Sequence, residues 1–289
     1  MNLIWGKAIK SLSSIGIGKI PGASSLYKYV WRYYGPKGIR LTKVNGFKMY
    51  VICRDWAVAP TMMFAHTWEP EETKLCKQYI KRGMMVIDAG AYIGYYSVLA
   101  SKLVGKEGRV YAFEPSPECV RLLHKNIQIN NCKNVRVFKK AIADKKGYVA
   151  FYLSSSNLSG STMFEHYSTS QKGLQIKVPV VSLDQAVGNG RVDFIKMDIE
   201  GGETKALKGM TKIIENNPNL KMILEVFPKG LEEVGSSLGE YIGFLQRYFD
   251  LYIIGGNGLI GEVGLWDIRR AAQKSGVINL FCQRRSAGV

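Results

Sequence analysis

No acidic residue occurs before Asp55, although Lys and Arg fill ten of the first 54 positions (7, 10, 19, 28, 32, 37, 40, 43, 48 and 54). The whole chain has a net charge of +17, so this segment holds much of the excess. Such a segment suits an anionic partner, whether membrane headgroups, a polyanionic substrate or nucleic acid, or else serves solubility alone. The five cysteines form no C-x-x-C pair and no Cys/His zinc spacing, which excludes a disulfide framework and a structural zinc and reads as a reduced, intracellular chain. No uninterrupted apolar run reaches the roughly 18 residues a spanning helix needs, and Lys7, Lys10 and Lys19 break any signal-peptide core. Internal repeats and low-complexity tracts are also lacking, the nearest being the serine-rich patch 154–161.

What is present, from Glu71 onward, is an alternation of strand and helix signals. Strands are predicted at 84–89, 108–115, 135–139, 191–200 and 219–227, with helices at 71–83, 93–105, 116–131, 201–217 and 236–249. Ser116 as a cap followed by Pro117 is the expected order for a helix start. LYIIGG and SGVINLFCQR add two strands joined by a short polar stretch, an antiparallel pair closing one edge of a seven-stranded sheet. GYVAFYL and QIKVPVV alternate with period two and read as an inserted hairpin tipped by the serine-rich loop. The expected fold is α/β, doubly wound and mostly parallel, with a basic N-terminal arm of small helical and strand elements at 1–60 and the main domain at 61–289.

In such sheets ligands bind at the carboxyl ends of the strands, and the first strand-to-helix turn here is VIDAGAYIGYYS, Val86 to Ser97. A dinucleotide fingerprint needs a second glycine to clear space for pyrophosphate, yet the corresponding positions hold Tyr92 and Tyr95. The loop offers Asp88 at the strand tip, Gly90 and Gly94 for close approach, and Glu114 at the tip of the next strand. Glu114 is placed for a ribose diol, Asp88 for the ammonium of an amino-acid tail, and backbone N–H groups from Gly90 to Gly94 for its carboxylate. A nucleoside bearing an amino acid without phosphate fits these groups, namely S-adenosylmethionine.

Together VIDAGAYIGYYS, GRVYAFEPSPE, KNIQINN, VVSLDQ and DFIKMDIEGGETKALKGM resemble the FkbM family of S-adenosylmethionine-dependent class I methyltransferases, over about Trp68 to Gly255. The resemblance implies a seven-stranded Rossmann-like sheet with a reversed last strand. It also implies O-methylation of a hydroxyl on a glycan, a lipid-linked saccharide or a secondary metabolite.

Read from the residues themselves, Lys196, Asp198 and Glu200 alternate to one side of a strand, and a helix beginning at Glu200 brings Glu203 round to join them. Asp198 or Glu200 is the candidate base for a hydroxyl proton, with His66 carried in by AHTWEPEE as an outside candidate. Lys196, Glu203 and Asn157 are candidate acceptor contacts; Asp144 is a candidate adenine contact, alongside Tyr92 in the cofactor loop. A metal-free site is expected over one in which Asp198, Glu200 and Glu203 hold a divalent ion. Ile4, Ala8, Leu12 and Ile15 recur at helical spacing, so residues 1–54 are expected to contact an anionic membrane, placing a cytoplasmic protein at its inner face. The alternatives are a nucleic-acid methyltransferase using the basic arm and a non-catalytic binding module.

Overall fold

The computed structural model describes residues 23–154, 158–163, 174–233, 235–256 and 258–285. Helix α1 (Ala23–Tyr34) leads into a hairpin of β1 (Ile39–Val44) and β2 (Phe47–Ile52), then a π-helical turn, Thr61–Ala65, and helix α2 (Pro70–Tyr79). Next come β3 (Met85–Ala89), α3 (Tyr95–Val104), β4 (Arg109–Phe113), α4 (Pro117–Ile129) and β5 (Val135–Phe138). An insertion of β6 (Ala141–Ile142), β7 (Gly147–Leu153) and β8 (Leu174–Val181) follows, then α5 (Leu183–Val187) and β9 (Phe194–Met197). The chain continues through α6 (Glu203–Lys208), α7 (Thr211–Asn216), β10 (Lys221–Val226), α8 (Pro228–Glu233) and α9 (Leu238–Gln246). It closes with β11 (Phe249–Gly255), β12 (Gly258–Glu262), α10 (Leu265–Ser275) and β13 (Ile278–Arg284).

The central sheet runs β12-β11-β13-β10-β9-β3-β4-β5. Strands β3, β4, β5, β9 and β10 pair in parallel, whereas β13 lies antiparallel to both β10 and β11. The chain thus winds outward from β3 to β5 and returns to β9 on the other side of β3, which puts the switch point between the tips of β3 and β9. Alternation along β3 feeds two apolar layers, Ile87 and Ala89 on one face and Val86 on the other. Sequence and structure agree on the doubly wound sheet, on its reversed strand, and on Ser116 capping α4 through the Cys119 N–H.

Three local expectations are corrected. The stretch between the last two expected strands is ordered, with β12 adding an eighth strand at the edge and α10 crossing to β13. Leu265, Ile268, Ala271 and Ala272 of α10 recur at helical spacing and pack on the core, a signal that the sequence did carry. The single helix expected over 201–217 is two, α6 and α7, broken at Gly209. A Cβ there would sit 2.2 Å from the Ala143 carbonyl oxygen, so the chain packs too closely for a side chain. The expected hairpin exists as β7 and β8, but β6 joins it in parallel to make a separate three-stranded sheet.

The hairpin β1–β2 is tied to the domain through α4. Asn126 and Asn130 stand one helical turn apart, and each carboxamide accepts an N–H from β2 and donates to the same residue's carbonyl, at Tyr50 and Lys48 respectively. A side-chain amide carries the donor and acceptor of a peptide group, and the rise of one helical turn is close to two residues of strand, so the helix imitates a neighbouring strand. Trp31 closes the other side, donating its indole N–H to the Cys53 carbonyl at 2.7 Å. Val44, Met49, Val51 and Ile52 accordingly share one apolar cluster with Val86, Val98 and Leu99.

Asn126 is fully buried and also donates to the Ile93 carbonyl in the loop after β3. Asn126→Ala strands three backbone groups, which is expected to cost about 3 kcal/mol and lower the Tm by roughly 6–10 °C in a thermal melt. An unchanged melt would remove the clasp from the list of stabilising contacts.

Candidate active site

The tips of β3 and β9 meet almost without side chains between them. Gly90, at φ +83°, brings its Cα so close to β9 that an added Cβ would lie 1.8 Å from the Asp198 carbonyl oxygen. The Asp198 N–H donates to the Ala89 carbonyl at 3.0 Å, and the N–H groups of Gly90 and Ala91 both donate to the Phe113 carbonyl. Tyr92 N–H donates to Glu114, and Gly94 N–H to the Ala91 carbonyl. The N–H groups of Gly90, Ala91, Tyr92 and Gly94, four of the five expected to meet a ligand carboxylate, are thus engaged internally.

Glu114 lies at the end of β4, almost buried, and its two oxygens accept from the N–H groups of Tyr92 and Ser116 at 2.8 Å each. Burial pushes its carboxyl up to about 7 despite those two bonds. It lines a cavity whose opposite wall is Lys140, Ala141 and Ile142 together with Leu158 and Ser159. Asp144 is not part of that wall. It is exposed two residues further on, where its backbone packs against Gly209.

A second cavity of about 280 Å³ adjoins the first through Gly90, Tyr92, Ser159, Asp198 and Glu200. Five carboxyl groups line it, Glu69, Asp88, Asp198, Glu200 and Glu225, with Lys196 as the sole cation among its lining residues. Lys196 is nearly buried, 3.3 Å from an Asp198 oxygen, 3.8 Å from Glu69 and 5.2 Å from the centre of the Tyr96 ring. Burial alone would lower its pKa, but Asp198, Glu69 and Glu225 together raise it, so it stays an ammonium. Its place is that of a buried counter-ion between β3 and β10, where strand pairing sets it beside Asp88 and Ile223, while it also lines the second cavity.

The carboxyls differ in their surroundings. Asp88 is held by the Ser97 hydroxyl and N–H, so it caps α3, whose N-cap residue Gly94 has no side chain to do so. Burial pushes it up to about 6, against the pull of Ser97 and Lys196. Burial raises Glu69 above the ordinary carboxylate range, with Lys196 opposing, and Tyr96 donates to it at 2.6 Å. Glu200, in a left-handed conformation at φ +53°, is raised well above that range by burial and by the charges of Asp198 and Glu203. Glu225 is raised in the same way, by burial and then Asp198.

Other expected residues lie elsewhere. The helix does not begin at Glu200 but at Glu203, which turns inward and accepts the N–H groups of Ile199 and Gly201 at 3.1 and 3.4 Å. It therefore shapes the turn after β9 and is too buried to touch an acceptor. His66 is exposed on the far side of the π-helical turn, its Nδ1 2.9 Å from the Lys43 carbonyl, and lines neither cavity. Asn157 and the apolar stripe from Ile4 to Ile15 fall outside the described residues. Among the described residues, no group of three His, Cys, Asp or Glu is arranged to hold a metal ion.

Sequence reasoning missed Asp55, Glu69 and Glu225. Asp55 is fully buried: one oxygen accepts the N–H groups of Ala57 and Val58, the other the Tyr92 hydroxyl at 2.7 Å and the Ser159 N–H at 2.9 Å. It joins three chain segments by holding Tyr92 and Ser159, which line both cavities, and nothing local in the sequence signals that. Glu225, by contrast, is the acid near the end of a predicted strand, one residue before Val226, and attention to strand ends would have found it.

A doubly wound sheet with a reversed strand and an acid at each tip around the switch point defines the class I methyltransferase arrangement. The family model described as "Methyltransferase FkbM domain" matches residues 88–251, and the chain belongs to that family. Over 151 residues it is 25% identical to the hexuronic acid methyltransferase AglP of Haloferax volcanii, covering 51% of this chain and 59% of that protein. Over 89 residues it is 38% identical to a ribosomal protein L11 methyltransferase of Acetivibrio thermocellus, covering 29% of this chain and only 28% of that protein's length. Among solved structures, a methyltransferase FkbM from Methylobacillus flagellatus aligns with a TM-score of 0.44 and 16% identity over 73% of this chain and 50% of that one.

The cofactor of this family is S-adenosylmethionine, and the residues present fit it. Gly90 lines both cavities without a side chain, Glu114 presents its carboxyl at the wall of the first cavity, and the second cavity's acids suit a sulfonium and an ammonium.

Two outcomes are expected. Glu114→Ala weakens binding of S-adenosylmethionine and of its demethylated product by roughly 10- to 100-fold in calorimetry, the size of a lost hydrogen bond to a charged group. Equal affinity would remove Glu114 from the site. The second concerns pH. Because burial holds Glu203 at about 7 against an ordinary 4.5, folding takes up a proton between those values. Its contribution is full below about pH 4.5 and lost as pH rises through about 7. Glu203→Gln keeps an acceptor oxygen, so its urea midpoint is expected to fall less than the wild type's between pH 4.5 and 7.

Proposed function

We propose that the chain transfers a methyl group from S-adenosylmethionine to a hydroxyl of a glycan, a lipid-linked saccharide or a secondary metabolite. The observation that carries this reading is the acid-lined cavity joined to the cofactor cleft through Asp198 and Glu200. When bound, the cofactor supplies a methyl group already activated on a sulfonium, so the protein's tasks are to position the acceptor, exclude water and take up one proton. Trp68, Tyr92, Tyr95 and Tyr96 wall the same cavity with flat apolar surface suited to the faces of a sugar or ring compound.

Glu200 is the proton acceptor in this proposal. Its environment raises its proton affinity, whereas Asp198 is engaged by Lys196, and a base works best when its affinity approaches the operating pH. Asp198 orients the mouth of the cavity and keeps Lys196 in place. The likeness to AglP, named for a hexuronic acid, supports a carbohydrate acceptor.

The test is incubation with methyl-labelled cofactor and lysate fractions separated into lipid, glycan, nucleic acid, protein and small molecules. Label is expected in a glycan, lipid or small-molecule fraction and to resist mild alkali, as an ether does and a carboxyl ester does not. Glu200→Gln is expected to lower the rate roughly 100-fold with cofactor affinity retained. Alkali-labile label, or label confined to protein or nucleic acid, would sink the hydroxyl reading.

A further inference from the structure

Outside the cleft, the described residues expose ten large hydrophobic side chains, and five of them fall between residues 29 and 41: Tyr29, Tyr33, Tyr34, Ile39 and Leu41, each 49–69% accessible. Four exposed cations, Arg32, Lys37, Arg40 and Lys43, lie between residues 29 and 43, and no acid is present there or anywhere before Asp55. Helix α1 is not loose on the surface. Its inner side is fixed by Trp31, which is buried, bonded to the Cys53 carbonyl and packed edge-on against Phe64 at 6.0 Å. The outer side is left facing solvent, with Tyr29 and Tyr33 in ring contact at 4.5 Å. Along β1, Ile39, Leu41 and Lys43 share one side of the strand.

We infer that this face, built from the end of α1 and from β1, docks the protein on an anionic lipid bilayer. Three features select that partner. Tyrosine is a side chain of the membrane–water interface, with a ring for the acyl boundary and a hydroxyl for the headgroups. Ile39 and Leu41 gain from insertion beside those rings but have nothing to offer a phosphodiester backbone, which argues against nucleic acid. Each cation near an anionic leaflet adds on the order of 1 kcal/mol, so four of them suffice for reversible attachment.

The same segment runs on into the cleft. From β1 the chain turns at Asn45, which bonds the Tyr95 hydroxyl, returns along β2, and reaches Asp55, Ala57 and Val58 beside the acid-lined cavity. Docking on this face would therefore hold a wall of that cavity on an element anchored to the lipid surface. The inference does not depend on which acceptor is used, because lipid binding needs no turnover.

The experiment is co-sedimentation of the full 289-residue chain with phosphatidylcholine vesicles, with and without phosphatidylglycerol. Binding is expected only with the anionic lipid and is released by salt, since screening acts over about 8 Å at physiological ionic strength. Arg32→Glu with Lys43→Glu, and separately Tyr33→Ser with Tyr34→Ser and Leu41→Ser, are each expected to reduce bound protein at least about 10-fold. Cofactor affinity and melting temperature should stay unchanged, because all these side chains are exposed. Wild-type protein left in the supernatant, or variants that sediment like wild type, would overturn the assignment. So would an oligonucleotide that binds wild type but not the variants while vesicles fail to bind.

Discussion

The absence of a side chain at Gly90 lets the backbones of β3 and β9 close at their tips, and the rest of the site depends on that closure. It brings Asp88 on one strand into register beside Lys196 on the next, and carries Asp198 and Glu200 to the border of both cavities. The loop then spends its own N–H groups on Phe113 and Glu114, so its shape is set before any ligand arrives. A preorganised polar loop costs no rearrangement when a ligand enters, which is where much of a cleft's affinity originates.

The second governing fact is electrostatic. A chain of net charge +17 hides a cavity with five carboxyls and one ammonium. Burial makes such crowding unfavourable for ionised acids, and it raises the proton affinity of Glu69, Glu200 and Glu225 rather than scattering the groups. The signs are separated in space, with exposed cations along the described N-terminal segment and carboxyls of raised proton affinity inside the cavity.

The N-terminal segment belongs to the site through two devices. The paired asparagines of α4 substitute for a neighbouring strand and hold β2 against the domain, and Asp55 then bonds the loop residue Tyr92 and the insertion residue Ser159. A single buried carboxylate thus fixes the relative position of three segments that border the cleft. Four hydrogen bonds satisfy its charge, which makes its burial tolerable.

Sequence alone determined the five parallel strands β3, β4, β5, β9 and β10 and most of the helices between them, because hydrophobic period, glycine position and cap residues are local properties. It likewise singled out Asp88, Gly90, Glu114, Asp198 and Glu200, which all line the two cavities, since each lies at a strand tip or one turn beyond it and strand tips in this sheet share one edge. Direction was harder. His66 and Asp144 lie near site residues in the chain yet face solvent, and Glu203 turns to its own backbone, because packing rather than spacing orients a side chain. The tertiary structure alone supplied Asp55, Glu69 and the Asn126 clasp. Asp55 meets Tyr92 across 37 residues and Ser159 across 104, and Asn126 meets Tyr50 across 76. No pattern within a helix or strand encodes such contacts, which exist only once the sheet has brought its distant segments together.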